Sequence, residues 1–361
     1  MVRRDRKMAM HMNEYITLGR SGLLVSPLGL GTMTFGNDSW GSKDNESRAI
    51  FDRYVETGGN FIDTADVYAT GKSEELLGRF VAESKLRDKL VIATKFTFNA
   101  QPGNPNAGGN GRKNIYRALD NSLKRLGMDY VDLYWLHAWD KVTPVEEVIG
   151  TLNDLVRAGK IRYYAFSDVP AWYAARAVTL AECHAMEKPV ALQLEYSLVE
   201  RTIEREHVGA AQELGLGICP WSPLASGFLA GKYKRDQSTE SGKARLEVLK
   251  NGNNPVFHKF TERNWHTLDV SESVAKELGR SVAQVALNWA ATQPGVTSTL
   301  IGATSKQQLE DNLAALEFVI PAELRRLLDE ASALEAAHPY MFFEDVLQSR
   351  IHGDVTVHPW R

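Results

Sequence analysis

Four residues in the first half of the chain have the types needed to place a proton on a carbonyl oxygen: Asp63, Tyr68, Lys95 and His137. Reducing a carbonyl takes a hydride at carbon and a proton at oxygen. Tyrosine, with a free pKa near 10, is a usable acid at neutral pH and gives up its proton more readily beside a cation. Lys95 is that cation, Asp63 the anion that would hold it, and neutral His137 a group able to orient the oxygen and relay a proton. Taken singly, each has an ordinary reading: a turn-forming acid, a solvated lysine, a core histidine and a rim tyrosine. Asp66, between Asp63 and Tyr68, reads as a loop former.

The set acts only if the fold brings the four together. Short apolar runs at 28–31, 61–63, 90–95, 131–137, 161–167, 191–195, 216–220 and 299–302 read as strands. Between them, apolar residues recur at helical spacing over 47–57, 73–84, 115–126, 144–158, 171–184 and 204–214, as in Ile115, Leu119, Leu123 and Leu126. Eight strands separated by helices predict a parallel sheet closed into a (β/α)8 TIM barrel. The alternative, an open doubly wound sheet, asks for a Gly-x-Gly-x-x-Gly turn, and Thr34 stands where the third glycine after Gly29 and Gly31 is needed. In a barrel, Asp63, Lys95 and His137 end three consecutive strands on one face, with Tyr68 in the loop above.

The remaining segments fit around that barrel. Runs 15–19 and 23–26 flank Arg20-Ser21-Gly22 as an N-terminal hairpin. Residues 99–112, rich in Gly, Asn and Pro, predict an irregular loop after the third strand. A long insertion follows strand 7: irregular over 222–258, then helical over 261–278 and 281–292. Insertions at the carboxyl ends of barrel strands usually act as lids or binding loops. Helical patterns at 305–316 and 321–335 follow the last strand. The expected organisation is a flexible leader over 1–14, a barrel over 15–336, and a tail over 337–361 whose Tyr340, Phe342, Phe343 and Trp360 dock on the barrel or on a partner subunit.

Composition narrows the function classes. The 361 residues are 43% hydrophobic and 24% charged, enough for a full core, and the net charge of −3 gives no basic field for nucleic acid. No run approaches the length of a membrane span. Arg3, Arg4, Arg6 and Lys7 precede no apolar segment, so the start does not read as a secretory signal. Cys183 and Cys219, far apart in apolar surroundings, predict buried thiols in a reducing cytoplasm. A metal-dependent barrel hydrolase would want a His-x-His near the first strand, and residues 28–36 contain no histidine.

The chain resembles the aldo-keto reductase superfamily from about Tyr15 to about Leu334. The resemblance is carried by Gly31-Thr32-Met33-Thr34-Phe35-Gly36, Phe61-Ile62-Asp63-Thr64-Ala65-Asp66-Val67-Tyr68, Ala93-Thr94-Lys95, Asp132-Leu133-Tyr134-Trp135-Leu136-His137 and Trp221-Ser222-Pro223-Leu224-Ala225-Ser226-Gly227. It implies that Asp63, Tyr68, Lys95 and His137 form a catalytic tetrad with Tyr68 as general acid, acting on an aldehyde or ketone. It further implies a nicotinamide cofactor extended across the barrel mouth, touched by Gly31, Thr32, Asp63, Ser167, Asp168 and Gln193, with Trp221 stacking on its ring. Asp168 departs from the Asn or Arg usual in the family at that position. Ser222, Leu224 and Lys232 match the pyrophosphate side, and Gly302, Thr304, Gln308, Asp311 and Asn312 the adenosine end.

Where many members of the family place Lys or Arg against a 2′-phosphate, this chain has Gly302, Thr304 and Gln308. A similar Gly-Ala-Ser…Gln pattern in an NADPH-using branch favours NADP, with NAD as the alternative and Arg235 or Arg245 as sources of the missing charge. Phe35, Trp40, Phe98 and Trp139 are the aromatic candidates for a substrate pocket suited to bulky or apolar carbonyls. The competing reading is a cofactor-binding regulatory protein on the same scaffold, like the channel-associated β subunits of this superfamily.

Overall fold

The computed structural model describes residues 9–235, 246, 255–353 and 355–358. Eight parallel strands form one sheet: β3 (Leu28–Gly31), β4 (Phe61–Asp63), β5 (Val91–Phe96), β6 (Val131–Leu136), β7 (Ile161–Ser167), β8 (Ala191–Glu195), β9 (Gly217–Trp221) and β10 (Thr299–Ile301). They pair in chain order from β3 to β9, and β10 pairs back onto β3. Closure between β9 and β10 comes through an Ile218–Val296 bridge, where Ile218 N donates to Gly295 O at 3.1 Å and Thr297 N to Ile218 O at 2.8 Å. The sheet is a (β/α)8 barrel. Helices α1 (Asp44–Glu56), α2 (Lys72–Ser84), α3 (Arg112–Leu126), α4 (Val145–Arg157), α5 (Ala171–Cys183) and α6 (His207–Leu214) connect successive strands on its outside.

Strand alternation decides what reaches the mouth. Phe61, Val91, Ala93, Leu133, Trp135, Ala165, Ala191, Cys219 and Leu300 share one buried cluster inside the barrel. Their neighbours in sequence, such as Ile62, Ile92, Tyr134, Phe166 and Leu192, pack outward beneath the helices. Side chains two residues apart lie on the same face of a strand. Asp63, Lys95, His137, Ser167, Gln193 and Trp221 therefore continue the interior rows by one step, as the top layer of the fill. The hairpin of β1 (Ile16–Thr17) and β2 (Leu24–Val25) closes the other end, with Leu18 and Val25 fully buried in the same interior cluster. Gly19 permits this seat: its φ is +59°, and a Cβ there would lie 2.3 Å from Val190 O.

The insertion after β9 carries α7 (Glu262–Leu278) and α8 (Val282–Ala291), the latter entered through a Ser281–Gln284 capping box. Lys259, nearly buried, pairs with Glu195 at 2.8 Å and ties the insertion to the end of β8. After β10 come α9 (Lys306–Leu313) and α10 (Ala322–Ala331), then α11 (Asp345–Ile351) in the tail. Among the described residues, no helix is long and apolar enough to cross a membrane.

Several expectations need correction. Strands β5 and β9 run one residue further toward the mouth than the apolar runs suggested, so Phe96 and Trp221 belong to the sheet. Glu206 (φ −137°, ψ −47°) separates a short 3-10 turn at Thr202–Arg205 from α6, where one continuous helix was expected. Cys219 is buried, whereas Cys183 ends α5 on its outer side and is exposed. In the tail, Tyr340 donates to Glu206 at 2.7 Å beneath the Arg205 guanidinium, but Phe342 and Phe343 are 51% and 64% exposed. Trp360, Arg245 and most of the leader lie outside the described residues.

Candidate active site

Lys95 is the centre of the top layer. Fully buried, it donates to Asp63 Oδ2, to Thr64 O at 2.8 Å and to the Tyr68 hydroxyl at 3.2 Å, and its charge lies 4.8 Å from the Tyr68 ring centre. Burial opposes a charge on Lys95, yet attraction to Asp63 and Tyr68 raises its pKa above the usual value. Burial pushes the Asp63 carboxyl up while Lys95 and Gln193 pull it down. With Lys95 in direct contact, the proton stays on the amine and the pair is ionic. Gln193 Nε2 donates to Asp63 Oδ1 at 3.1 Å, which fixes the amide and leaves its oxygen as the acceptor for the mouth.

Tyr68 and His137 lie across from each other, with ring centres 6.0 Å apart and nearly perpendicular. His137 is positioned through its backbone N–H, which donates to Phe96 O at 3.0 Å and Thr97 Oγ1 at 3.2 Å. Its Nδ1 has no partner among the described residues. Burial, with the Lys95 charge, holds the imidazole well below its ordinary pKa, so it is neutral at pH 7. The open face is thus bordered by a phenol, backed by an ammonium, and by a neutral imidazole.

The sequence pattern of the Aldo/keto reductase family matches residues 27–333. The chain belongs to the aldo/keto reductase family. Among the relatives of this aldo/keto reductase, a probable voltage-gated potassium channel subunit beta of Oryza sativa is 37% identical over 90% of this chain and 98% of its own length. An uncharacterised oxidoreductase of Bacillus subtilis is 35% identical over 88% and 95%. An aryl-alcohol dehydrogenase [NADP(+)] of Phanerodontia chrysosporium is 31% identical over 90% and 87%. The protein is an oxidoreductase of a family that uses nicotinamide cofactors on small carbonyl compounds.

The residues around the mouth fit such a cofactor unevenly. Ser167 is buried at the end of β7, and its register partner Gln193 ends the same layer. Asp168 follows at φ +45°, accepting from Trp221 Nε1 at 3.2 Å. It stands open at the rim, yet crowding by the barrel walls pushes its carboxyl up to about 7, against the pull of Trp221. Ser222, Ala225, Ser226 and Gly227 all have left-handed backbone, winding the segment after Trp221 into a tight turn in which Ala225 N donates to Ser222 O at 2.8 Å, Ser226 N to Ser222 Oγ at 3.0 Å and Gly227 N to Leu224 O at 2.9 Å. Leu224 is half-buried in that turn and Lys232 exposed beyond it. A Cβ at Gly302 would meet nothing within 4 Å, so the surface there is open.

Other expected contacts are engaged elsewhere. Thr32 is fully buried, its hydroxyl bonded to Asp63 O and Ser73 Oγ, so its side chain fastens β3 to β4 and does not face the mouth. Asp311 accepts from Gln284 Nε2 at 2.9 Å and Ser281 Oγ at 3.3 Å, holding α9 against the start of α8. Gln308 accepts from Thr304 N and Oγ1, and Asn312 Nδ2 donates to Gly302 O, so these groups shape the turn they were expected to line. Arg235 pairs with Glu262 and Asp269. Gly31 is the register partner of Asp63.

The aromatic candidates divide. Phe35 is fully buried against Phe80, in the outer core, which corrects its assignment to the pocket. Phe98 is 48% exposed and meets the His137 ring edge-on at 4.7 Å. Trp40 is half-buried in the loop after β3. Trp139 packs perpendicular to Trp172, centres 5.5 Å apart, beside a cleft of ≈430 Å³ lined also by Asp168, Leu194 and Ile203. Trp172, 54% exposed on the first turn of α5, was not picked out in the sequence. Its position after Pro170, two residues past Asp168, was the available signal. A larger cleft, ≈630 Å³, lies between Met10–Asn13, α1 and α9 and contains none of the tetrad.

Proposed function

We propose that the protein is an NADP-dependent reductase of aldehydes or ketones, reversible to alcohol oxidation. The observation that carries this reading is the single ammonium of Lys95 bridging Asp63 and the Tyr68 hydroxyl. Asp63 holds Lys95, Lys95 favours loss of the Tyr68 proton, and Tyr68 delivers it to the substrate oxygen. His137, neutral, hydrogen-bonds the same oxygen through its imidazole and orients it. A nicotinamide bound at the mouth would supply the hydride. Ser167, Gln193 Oε1 and Asp168 would hold its carboxamide, and Trp221 would cover the ring. The turn at Ser222–Gly227 with Lys232 would hold the pyrophosphate, and the open surface at Gly302 the adenosine end.

NADP is favoured by the aryl-alcohol dehydrogenase relative, whose name carries NADP(+). Arg235, already held by two acids, is withdrawn as the source of a 2′-phosphate contact. Phe98, Trp139 and Trp172 favour a bulky, aromatic substrate. The exposed, unpaired thiol of Cys183 suits a reducing cytoplasm. The second reading, a regulatory β-subunit-like protein with weak reductase activity, draws on the potassium channel subunit relatives of rice and Arabidopsis thaliana, at 37% and 36% identity. Fluorescence titration with NADPH and NADH, followed by a carbonyl panel read by cofactor absorbance, tests the assignment. Tight NADPH binding with no turnover on any carbonyl would favour the regulatory reading.

A further inference from the structure

Asp168 is a charged side chain at the mouth that the proton-transfer chemistry leaves unused. Its backbone is pinned on both sides: N donates to Gln193 O at 3.2 Å, and O accepts from Trp139 N at 3.3 Å. Its carboxylate is aimed by the indole N–H of Trp221 at 3.2 Å and by Ser167 Oγ at 3.5 Å. Two of the side chains assigned above to the nicotinamide, Trp221 and Ser167, therefore converge on this carboxylate. An asparagine could make the same backbone bonds and would also tolerate the left-handed φ of +45°. What aspartate adds is a charge.

We propose that ionised Asp168 is the counter-charge for the oxidised nicotinamide ring, so that this chain binds the oxidised nucleotide more tightly than the reduced one. The inference rests on the cofactor placement proposed above. The oxidised ring is cationic and the reduced ring neutral, so a carboxylate against it discriminates between the two by charge alone. Crowding brings Asp168 to about 7, which puts that discrimination under the control of pH. The sign follows: below this value the acid is neutral and the preference is absent, and above it the preference is present.

Other charged groups surround Asp168. Glu195 on β8 raises its pKa and is itself paired with Lys259; Lys95 on β5 lowers it. Lys141, Glu200 and His207 line the same cleft, with His207 Nε2 on Val169 O at 2.9 Å. Replacing Asp168 alone separates its contribution from theirs. The 2′-phosphate of NADP also titrates near pH 6, but it is common to both redox forms and cancels in their ratio.

The test is the dissociation constants of NADP+ and NADPH, by fluorescence, at pH 5.5 and 8.5 for the wild type and Asp168→Asn. The ratio of the NADPH to the NADP+ constant should rise about tenfold with pH in the wild type, the equivalent of one pKa unit, and stay flat in the variant. Calorimetry of the wild type at pH 7 in buffers of different ionisation enthalpy should show more protons released on binding NADP+ than on binding NADPH. An unchanged wild-type ratio, an equal rise in both proteins, or equal proton release with both nucleotides would overturn the inference while leaving the cofactor assignment standing. Failure of both nucleotides to bind at either pH would overturn the two together.

Discussion

The Lys95 ammonium lies 3.2 Å from the Tyr68 hydroxyl and in contact with the Asp63 carboxylate, fully buried from solvent. Asp63 is a main cause of the raised Lys95 pKa. In Asp63→Asn, Lys95 keeps the desolvation and loses the anion, so it gives up its proton at lower pH. The alkaline limb of the pH–rate profile for carbonyl reduction should move down by at least about one unit. An unmoved limb between pH 6 and 10 would remove Lys95 from the proton path.

His137 acts as a neutral group, because burial lowers its pKa well below the ordinary value. His137→Ala should reduce kcat by about 10²-fold or more with little change in nucleotide affinity. The wild-type kcat should show no inflection from His137 between pH 6 and 8. Loss of nucleotide binding in the variant would indicate that the imidazole supports the cofactor instead of the substrate.

Asp66 lies in the turn after β4, as its sequence position suggested, but it is buried there. It is 5% exposed, its Oδ1 has no hydrogen-bond partner among the described residues, and burial, with the nearby Glu74, pushes its carboxyl up to about 7. An acid whose folded pKa exceeds its unfolded one holds its proton in the fold, and stability falls as pH rises from about 4 to about 7. Asp66→Asn escapes that penalty. In urea melts the variant should gain on the order of a few kcal/mol over the wild type at pH 8, and much less at pH 4.5. The same difference at both values would show that Asp66 titrates normally.

Lys259 is the pin that joins the long insertion to β8 through Glu195, with 6% and 12% of the two side chains exposed. Lys259→Met strands a buried carboxylate and should destabilise the protein by about 3–5 kcal/mol. Glu195→Gln combined with Lys259→Met should recover part of that loss. No recovery in the double variant would mean that the lysine stem, and not the ion pair, holds the insertion.

Much of this architecture was legible because alternation and barrel closure are local rules with global consequences. Phe61, Val91, Ala93, Leu133 and Trp135 mark the interior rows, and counting two residues on from them reaches Asp63, Lys95 and His137. The sequence could not show what competes for a polar group once the chain is folded. Thr32 and Asp311 have suitable chemistry at suitable places, and both are taken by partners distant in sequence, Ser73 and Gln284. Phe35 carries no sign of Phe80 beneath it until α2 is docked. Lys259 carries no sign of Glu195 in the sequence, because only the packed insertion brings the two together.

The central claim is that Tyr68 is the acid. Its most direct test is Tyr68→Phe, assayed with NADPH and an aromatic aldehyde by loss of absorbance, with NADPH binding followed separately by fluorescence. The account predicts turnover lowered by about 10²–10⁴-fold at unchanged NADPH affinity. Turnover near the wild-type rate would contradict it.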